Sequence, residues 1–195
     1  MLWTLFLLLK AKKRKGGKVL DSIFKYKIIN EEIVITGLQE GVVTTSIVIP
    51  ETIDGMPVVE IKPEAFQSTS ITDIKIGENI REIGIQAFYM CKKLRSVTWN
   101  QKCDVIPSDC FAECSNLTQF DFSNIKRIEV RAFRDSGLTS VTLSKKNEVD
   151  QNCFACCNDL EKIEWLSDRN IEKTIFAECK NIKEIFISDS VMDIA

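Results

Sequence analysis

Eight cysteines, 28 carboxylates and no histidine set the chemistry open to this 195-residue chain. Without histidine there is no Ser-His-Asp or Cys-His nucleophile and no zinc site with an imidazole ligand. Cys153-Phe-Ala-Cys156-Cys157 contains a C-x-x-C, but no second pair repeats that spacing, so a four-thiolate metal site is not indicated. Neither G-x-x-x-x-G-K-[ST] nor G-x-G-x-x-G occurs, so no phosphate cradle is predicted. Glu31/Glu32 and Asp189/Asp193 are the obvious carboxylate pairs, and both read as solvated turn residues. The expectation is a protein with no catalytic residues, no cofactor and no metal.

Position explains the cysteines better than reactivity does. Cys91, Cys114, Cys157 and Cys179 each stand three residues after a phenylalanine, where Thr69 and Ser136 also occur. Cys110 and Cys153 stand just before one, where Ala65, Ala87 and Ala132 also occur. Both slots call for a small buried group, which a free thiol supplies. Cys103 and Cys156 lie off this pattern. A second reading has cysteines one repeat apart, such as Cys91 and Cys114, bridging on oxidation, since neighbouring strands lie only about 5 Å apart.

The phenylalanines that define those slots are Phe66, Phe88, Phe111, Phe133, Phe154 and Phe176, at intervals of 22, 23, 22, 21 and 22 residues. Such a period marks a repeat architecture. Each is followed by a phrase of the form L-x-x-I-x-I: Ile71 to Ile76, Leu94 to Trp99, Leu117 to Phe122, Leu138 to Leu143, Leu160 to Trp165 and Ile182 to Ile187. The alternation predicts a short strand with one face buried. The outward positions are Asp73/Lys75, Ser96/Thr98, Gln119/Asp121, Ser140/Thr142, Lys162/Glu164 and Glu184/Phe186, all polar except the last.

Five residues before each ring sits an aliphatic: Ile61, Ile83, Ile106, Ile128, Val149 or Ile171. The segment around the ring predicts a tight bend or one helical turn, because the space before the next strand is too short for an amphipathic helix. One such unit cannot stand alone. Five buried apolar side chains contribute roughly 8–15 kcal/mol, less than the roughly 1–2 kcal/mol per residue needed to order its backbone. Stability must come from contacts between neighbouring units.

The combined pattern, L-x-x-[IV]-x-[ILW] then I-x-x-x-[AC]-F-x-x-C, resembles the leucine-rich repeats of the BspA-like subclass. Tyr26 to Gly37 and Ile47 to Val59 resemble the opening segment of that family, so the likeness covers roughly residues 24–195. The family often has proline after the strand. Here only Pro50 holds that place, and Gly77, Asn100, Ser123, Ser144, Leu166 and Ser188 occupy the others. The asparagine-ladder repeat of better-known leucine-rich proteins is not visible. The resemblance implies a repeat solenoid, a right-handed superhelix of α/β class by formal count, built mostly of short parallel β-strands with short helical turns. The chain divides into three parts: a basic and apolar tail at 1–23, a hairpin and capping partial repeat at 24–60, and repeats over 61–195, the last expected to be incomplete.

Charge is unevenly placed. Residues 1–18 carry six of the 26 positive charges and no acid, leaving twenty positive and 28 negative charges on the remainder, a net of −8. A mildly acidic body is a poor partner for nucleic-acid phosphates. The tail, Met1 to Leu9 followed by a basic run, is too short to span a bilayer, and its charge order is the reverse of a secretory signal. It reads as a tail without a dedicated role or an imprecise start of the coding region, as a weak membrane anchor over residues 1–18, or as an import-like basic patch. At the far end, Val191 to Ala195 looks like the start of another second half, whose phenylalanine would fall four residues past Ala195. That predicts a piece of a longer array or an end covered by a partner.

The leading functional expectation is a protein-binding module whose outward strand face carries Asp73, Lys75, Ser96, Thr98, Gln119, Asp121, Ser140, Thr142, Lys162 and Glu164. The resemblance implies surface adhesion to host or matrix proteins. The alternative is a structural protein that self-associates end to end, with membrane attachment through the tail. Location is open: the resemblance points to the cell surface, whereas the absence of a signal peptide and the buried free thiols fit a reducing cytosol.

Overall fold

The computed structural model describes residues 23–189 and Val191. The expectations for the tail at residues 1–18 and for the chain beyond Val191 lie outside these residues. The chain opens with an antiparallel hairpin, β1 (Phe24–Ile29) and β2 (Glu32–Leu38), turned by Asn30 and Glu31, both with positive φ. β3 (Ser46–Val48), β4 (Thr52–Ile53) and β5 (Met56–Ile61) complete the first coil; β5 lies parallel to β2 and closes a small antiparallel pair with β4.

From there the chain winds in coils, each with a first strand, a second strand and a phenylalanine turn. The second coil holds β6 (Asp73–Lys75) and β7 (Glu82–Ile83), and the third β8 (Ser96–Thr98) and β9 (Val105–Ile106). The fourth has only β10 (Arg127–Ile128). β11 (Ser140–Ser144) and β12 (Glu148–Val149) belong to the fifth, β13 (Lys162–Leu166) to the sixth and β14 (Glu184–Ile187) to the seventh. Successive first strands pair in parallel, as in Ile47↔Ile74↔Val97 and Ile163↔Ile185, and so do second strands, as in Ile106↔Ile128↔Val149.

The six phenylalanines form a column. Successive ring centroids lie 5.5, 5.3, 5.3, 5.7 and 5.4 Å apart with near-parallel planes. Phe24 of the hairpin closes the first end edge-on, 6.3 Å from Phe66 at 84°. Offset stacking of this kind contributes about 0.5–1.5 kcal/mol per pair beyond the area buried.

The expected short helical turns are not there. Among the described residues there is no helix, and the fold is a β-solenoid of about seven turns rather than an α/β chain. The reason lies in the backbone around each ring. Residues two before and two after the phenylalanine sit in the left-handed region: Glu64 and Ser68, Gln86 and Met90, Asp109 and Glu113, Arg131 and Asp135, Asn152 and Cys156, and Glu178, with φ between 54° and 60°. Alternate N–H groups then point in opposite senses. Those of Ala65, Gln67 and Thr69 bond three residues back within the coil, while those of Glu64, Phe66 and Ser68 bond the carbonyls of Ile85, Ala87 and Tyr89 in the next coil at 2.8–3.0 Å. A helical turn would direct every N–H along its own axis and leave none for the neighbour.

Left-handed backbone costs a non-glycine residue about 1–2 kcal/mol, most for β-branched side chains. Exposed Ser68 has no side-chain bond that would confuse a test. Ser68→Gly is expected to raise the unfolding free energy, by up to about 1 kcal/mol, and Ser68→Val to lower it through the extra strain of a β-branched side chain, both read from urea titrations. Equal destabilisation by the two would contradict this account of the turn.

Candidate interaction face

The first strands present their outward residues in rows, and the structure places all ten predicted face residues at the surface, with Lys162 and Glu164 half-buried. It does not bring them together as one sheet. β3-β6-β8 form one three-stranded patch and β11-β13-β14 another, with the Leu117 to Phe122 segment unpaired between them. No backbone hydrogen bond is made by Gln119, Phe120 or Asp121. Gln119 and Asp121 therefore do not sit on a strand, which corrects the reading of this phrase as one more rung.

The cause is the side chain between them. The inward column of first strands runs Ile47, Ile74, Val97, Phe120, Val141, Ile163, and Phe120 is its one aromatic residue. Its ring enters beside the column, 5.5 Å from Phe111 and 5.1 Å from Phe133, and meets Trp99 edge-on at 5.8 Å. A ring where the neighbouring coils carry valine holds the backbone off the ladder. Two clefts open beside it. One of 390 Å³ is lined by Gln119, Phe120, Asp121, Ser140 and Thr142, and one of 220 Å³ by Thr98, Trp99, Asn100 and Asp121. Five of the ten face residues thus converge on one discontinuity.

Charge on this face is local. The Asp121 carboxylate accepts the Ser123 N–H at 2.9 Å, which holds it below the usual carboxylate range. Glu164 is lowered by Lys162 at 2.7 Å and by the Thr142 hydroxyl at 3.1 Å. Lys162 also lies 5.2 Å over the Phe186 ring. Such partly exposed pairs contribute little to stability.

Two buried asparagines floor the clefts, and neither was visible as a repeat. Asn100 donates to the carbonyls of Gly77 and Ile80 one coil back at 2.7 and 2.9 Å, and accepts from the Lys102 N–H. Asn147 donates to Phe122 and Ile125 at 3.1 and 2.6 Å and accepts from Ser144. They do the work of an asparagine ladder at two coils. Asn100 lies directly after its strand phrase and Asn147 four residues after its own, so no common register marks them.

The cysteines occupy the slots their positions predicted. Thiols of Cys91, Cys114, Cys157 and Cys179 each donate to the phenylalanine carbonyl of the preceding coil at 3.0–3.2 Å. All eight are free; Cys156 and Cys179 are partly exposed and the rest buried. Burial pushes the thiols of Cys91, Cys110 and Cys114 up, Cys103 to about 11 and Cys153 to about 12. Contact with Cys179, then burial, raises Cys157. Among the described residues no group of histidine, cysteine and acid side chains is arranged to hold a metal ion, and no helix is long and apolar enough to cross a membrane.

Residues 40–161 and 123–195 match the model of a family described as the BspA type leucine rich repeat region, in six copies. Among solved structures, a leucine rich repeat protein of T. pallidum is 25% identical, with a TM-score of 0.73, over 87% of this chain and 82% of that one. A leucine-rich repeat protein of Bacteroides ovatus is 22% identical with a TM-score of 0.73, over 90% of this chain and 54% of that one. A leucine rich cell surface protein of Faecalibacterium prausnitzii is 21% identical with a TM-score of 0.52, over 85% of this chain and 38% of that one. The last two show the fold alone, and this chain spans about half of the first and less of the second. No curated protein matches it.

Two outcomes follow from this geometry. Replacing Asn147 by leucine leaves the Ile125 carbonyl buried without its partner and should cost about 2–3 kcal/mol in urea unfolding; a loss below about 0.5 kcal/mol would contradict the bridging role. For the thiols, the folded state keeps protons that the unfolded chain releases above about pH 9. Their contribution is therefore full below pH 9 and is lost as pH rises toward 11–12. Urea midpoints should fall over that range, less steeply in Cys153→Ala, and alkylation at pH 8 should reach Cys156 and Cys179 first.

Proposed function

The chain belongs to the BspA-type leucine-rich repeat family, and on that premise we propose that it is a non-catalytic protein-binding module acting in adhesion or surface recognition. Its first-strand face is the contact surface, centred on the unpaired fourth coil. The observation that carries this reading is the convergence of Thr98, Gln119, Asp121, Ser140 and Thr142 on two clefts with the rings of Trp99 and Phe120 at their sides. Hydroxyl and amide groups around a partly exposed aromatic pair provide adaptable hydrogen bonds beside an apolar anchor, a mixture that protein interfaces favour. The flanking rows, Asp73, Lys75 and Ser96 on one side and Lys162 and Glu164 on the other, extend the polar rim.

A second reading, end-to-end association of two copies, is favoured by the exposed apolar side chains of β14, Ile185 and Phe186, each more than half exposed. Phe186 shares the outward face with Lys162, so the two readings are separated by mass. Light scattering over a hundredfold concentration range should give a growing mass under the second reading and a constant one under the first.

Adhesion is tested by solid-phase binding to an immobilised extracellular-matrix protein extract. The protein should bind saturably, and Gln119→Arg combined with Thr142→Arg should weaken binding at least tenfold without shifting the unfolding midpoint. Binding unaffected by these substitutions would move the contact surface elsewhere, and absence of saturable binding would remove the adhesive assignment.

A further inference from the structure

The second strands also have a break, on a different side of each coil from the face just described. Along that column the residue after the strand donates its N–H to the coil before it: Gly84 to Ile61, Glu129 to Ile106 and Asp150 to Ile128, at 2.8–3.0 Å. In the third coil this donor position is Pro107, which has no N–H. β7 and β9 consequently do not pair, and the Ile83 carbonyl accepts no backbone bond from the third coil. Three residues earlier in the pattern, Arg81 donates to Val59 and Lys126 to Asp104, yet no backbone N–H of the third coil donates to the Arg81 carbonyl.

A cleft of 580 Å³ opens at this break. Its floor is apolar: Ile85 is 50% and Val105 38% exposed, with Pro63 and Pro107 beside them. Its rim carries Glu60, Glu82, Asp104 and Glu129. Three of these acids are engaged, Glu60 with Lys62 and Asp104 with Lys126 at 2.6 Å each, and Glu129 with the N–H and hydroxyl of Ser108. Arg81 in the lining is held by Glu32 at 2.6 Å. Among the described residues the Glu82 carboxylate makes no hydrogen bond or ion pair, and its charge acts at a distance, on Lys62.

Backbone carbonyls and carboxylates only accept, and four acids outnumber the two bases Lys62 and Arg81 in the lining, so the cleft favours a group rich in donors and positively charged. The exposed Ile85 and Val105 require that the charge arrive on an apolar stem. Arginine has both, and its planar fork can reach two acceptors spaced along one strand, which a lysine ammonium does less well. We propose that the break between β7 and β9 is a pocket for an arginine side chain presented by a partner protein. The pocket is independent of the first-strand face and stands whether or not that face binds matrix proteins.

The test is a titration of the ¹⁵N-labelled full chain with acetyl-Gly-Arg-Gly-amide, followed by amide shifts, with the citrulline and lysine peptides as comparisons. Saturable shifts confined to Gly84, Asp104 and Val105 and their neighbours are expected with arginine. Glu82→Gln should weaken binding at least fivefold. Pro107→Ala supplies the missing N–H, closes the break and should weaken binding similarly while the unfolding midpoint holds or rises. Shifts of equal size with citrulline, equal affinity for lysine, perturbation spread over the whole acidic surface, or full binding in either variant would overturn the assignment.

Discussion

The alternation of N–H direction around each phenylalanine is the constraint on which this structure depends. Two left-handed residues, spaced four apart with the ring between them, turn one set of donors inward to close the bend and the other toward the next coil. The ring is carried at the point where those inter-coil bonds are densest, so stacking and hydrogen bonding reinforce each other at one place. Glu64, Phe66 and Ser68 repeat as Gln86, Phe88 and Met90, as Asp109, Phe111 and Glu113, and as Arg131, Phe133 and Asp135, each triplet bonded to the next coil. Backbone strain of about 1–2 kcal/mol at each left-handed residue is tolerated because inter-coil bonds and ring burial exceed it locally.

The strands, by comparison, are dispensable one at a time. The first-strand ladder is interrupted on both sides of the fourth coil and the second-strand ladder between the second and third. The turn ladder runs past both interruptions with ring spacings unchanged at 5.3–5.7 Å. A solenoid held by a continuous spine can therefore open its other sides locally without losing register. Both breaks have a side-chain cause, a ring at Phe120 that needs more depth than valine and a proline at position 107 that cannot donate. Ion pairs between coils, such as Arg127 with Asp150 and Arg131 with Asp109, add side-chain staples where the backbone ladder is already intact.

Much of this was legible in the sequence. The period of the phenylalanines, the inward and outward alternation of most strand phrases and the small-residue slots of the cysteines are each properties of residue type at fixed spacing, and only the Leu117 to Phe122 phrase and Ile185 depart from where the spacing placed them. The turn was not legible, because left-handed backbone is signalled by glycine or asparagine, whereas Glu64, Gln86, Met90 and Arg131 carry no such mark. They adopt it because inter-coil bonding outweighs local preference. The bridging roles of Asn100 and Asn147 have no sequence mark, because the carbonyls they bridge are set by where each loop passes, not by a shared register. Phe120 read as one more buried apolar residue; its effect depends on the valines above and below it, a relation across coils that a pass along the chain does not display.

A repeat array that obeyed its own rule everywhere would present the same pair of outward side chains at every coil, and a partner could dock one coil up or down with equal ease. Discrimination needs features that occur once. In this chain the clefts, the half-exposed rings and the open carbonyls all lie where a residue departs from the repeat, at Phe120 and at Pro107, while the residues that obey it build the spine. The same physics accounts for both roles: a nearest-neighbour stack loses only local contacts when one rung is altered. Departures can therefore persist without loss of the stack, and on the readings proposed above the positions at which this solenoid breaks its pattern are where partners would dock.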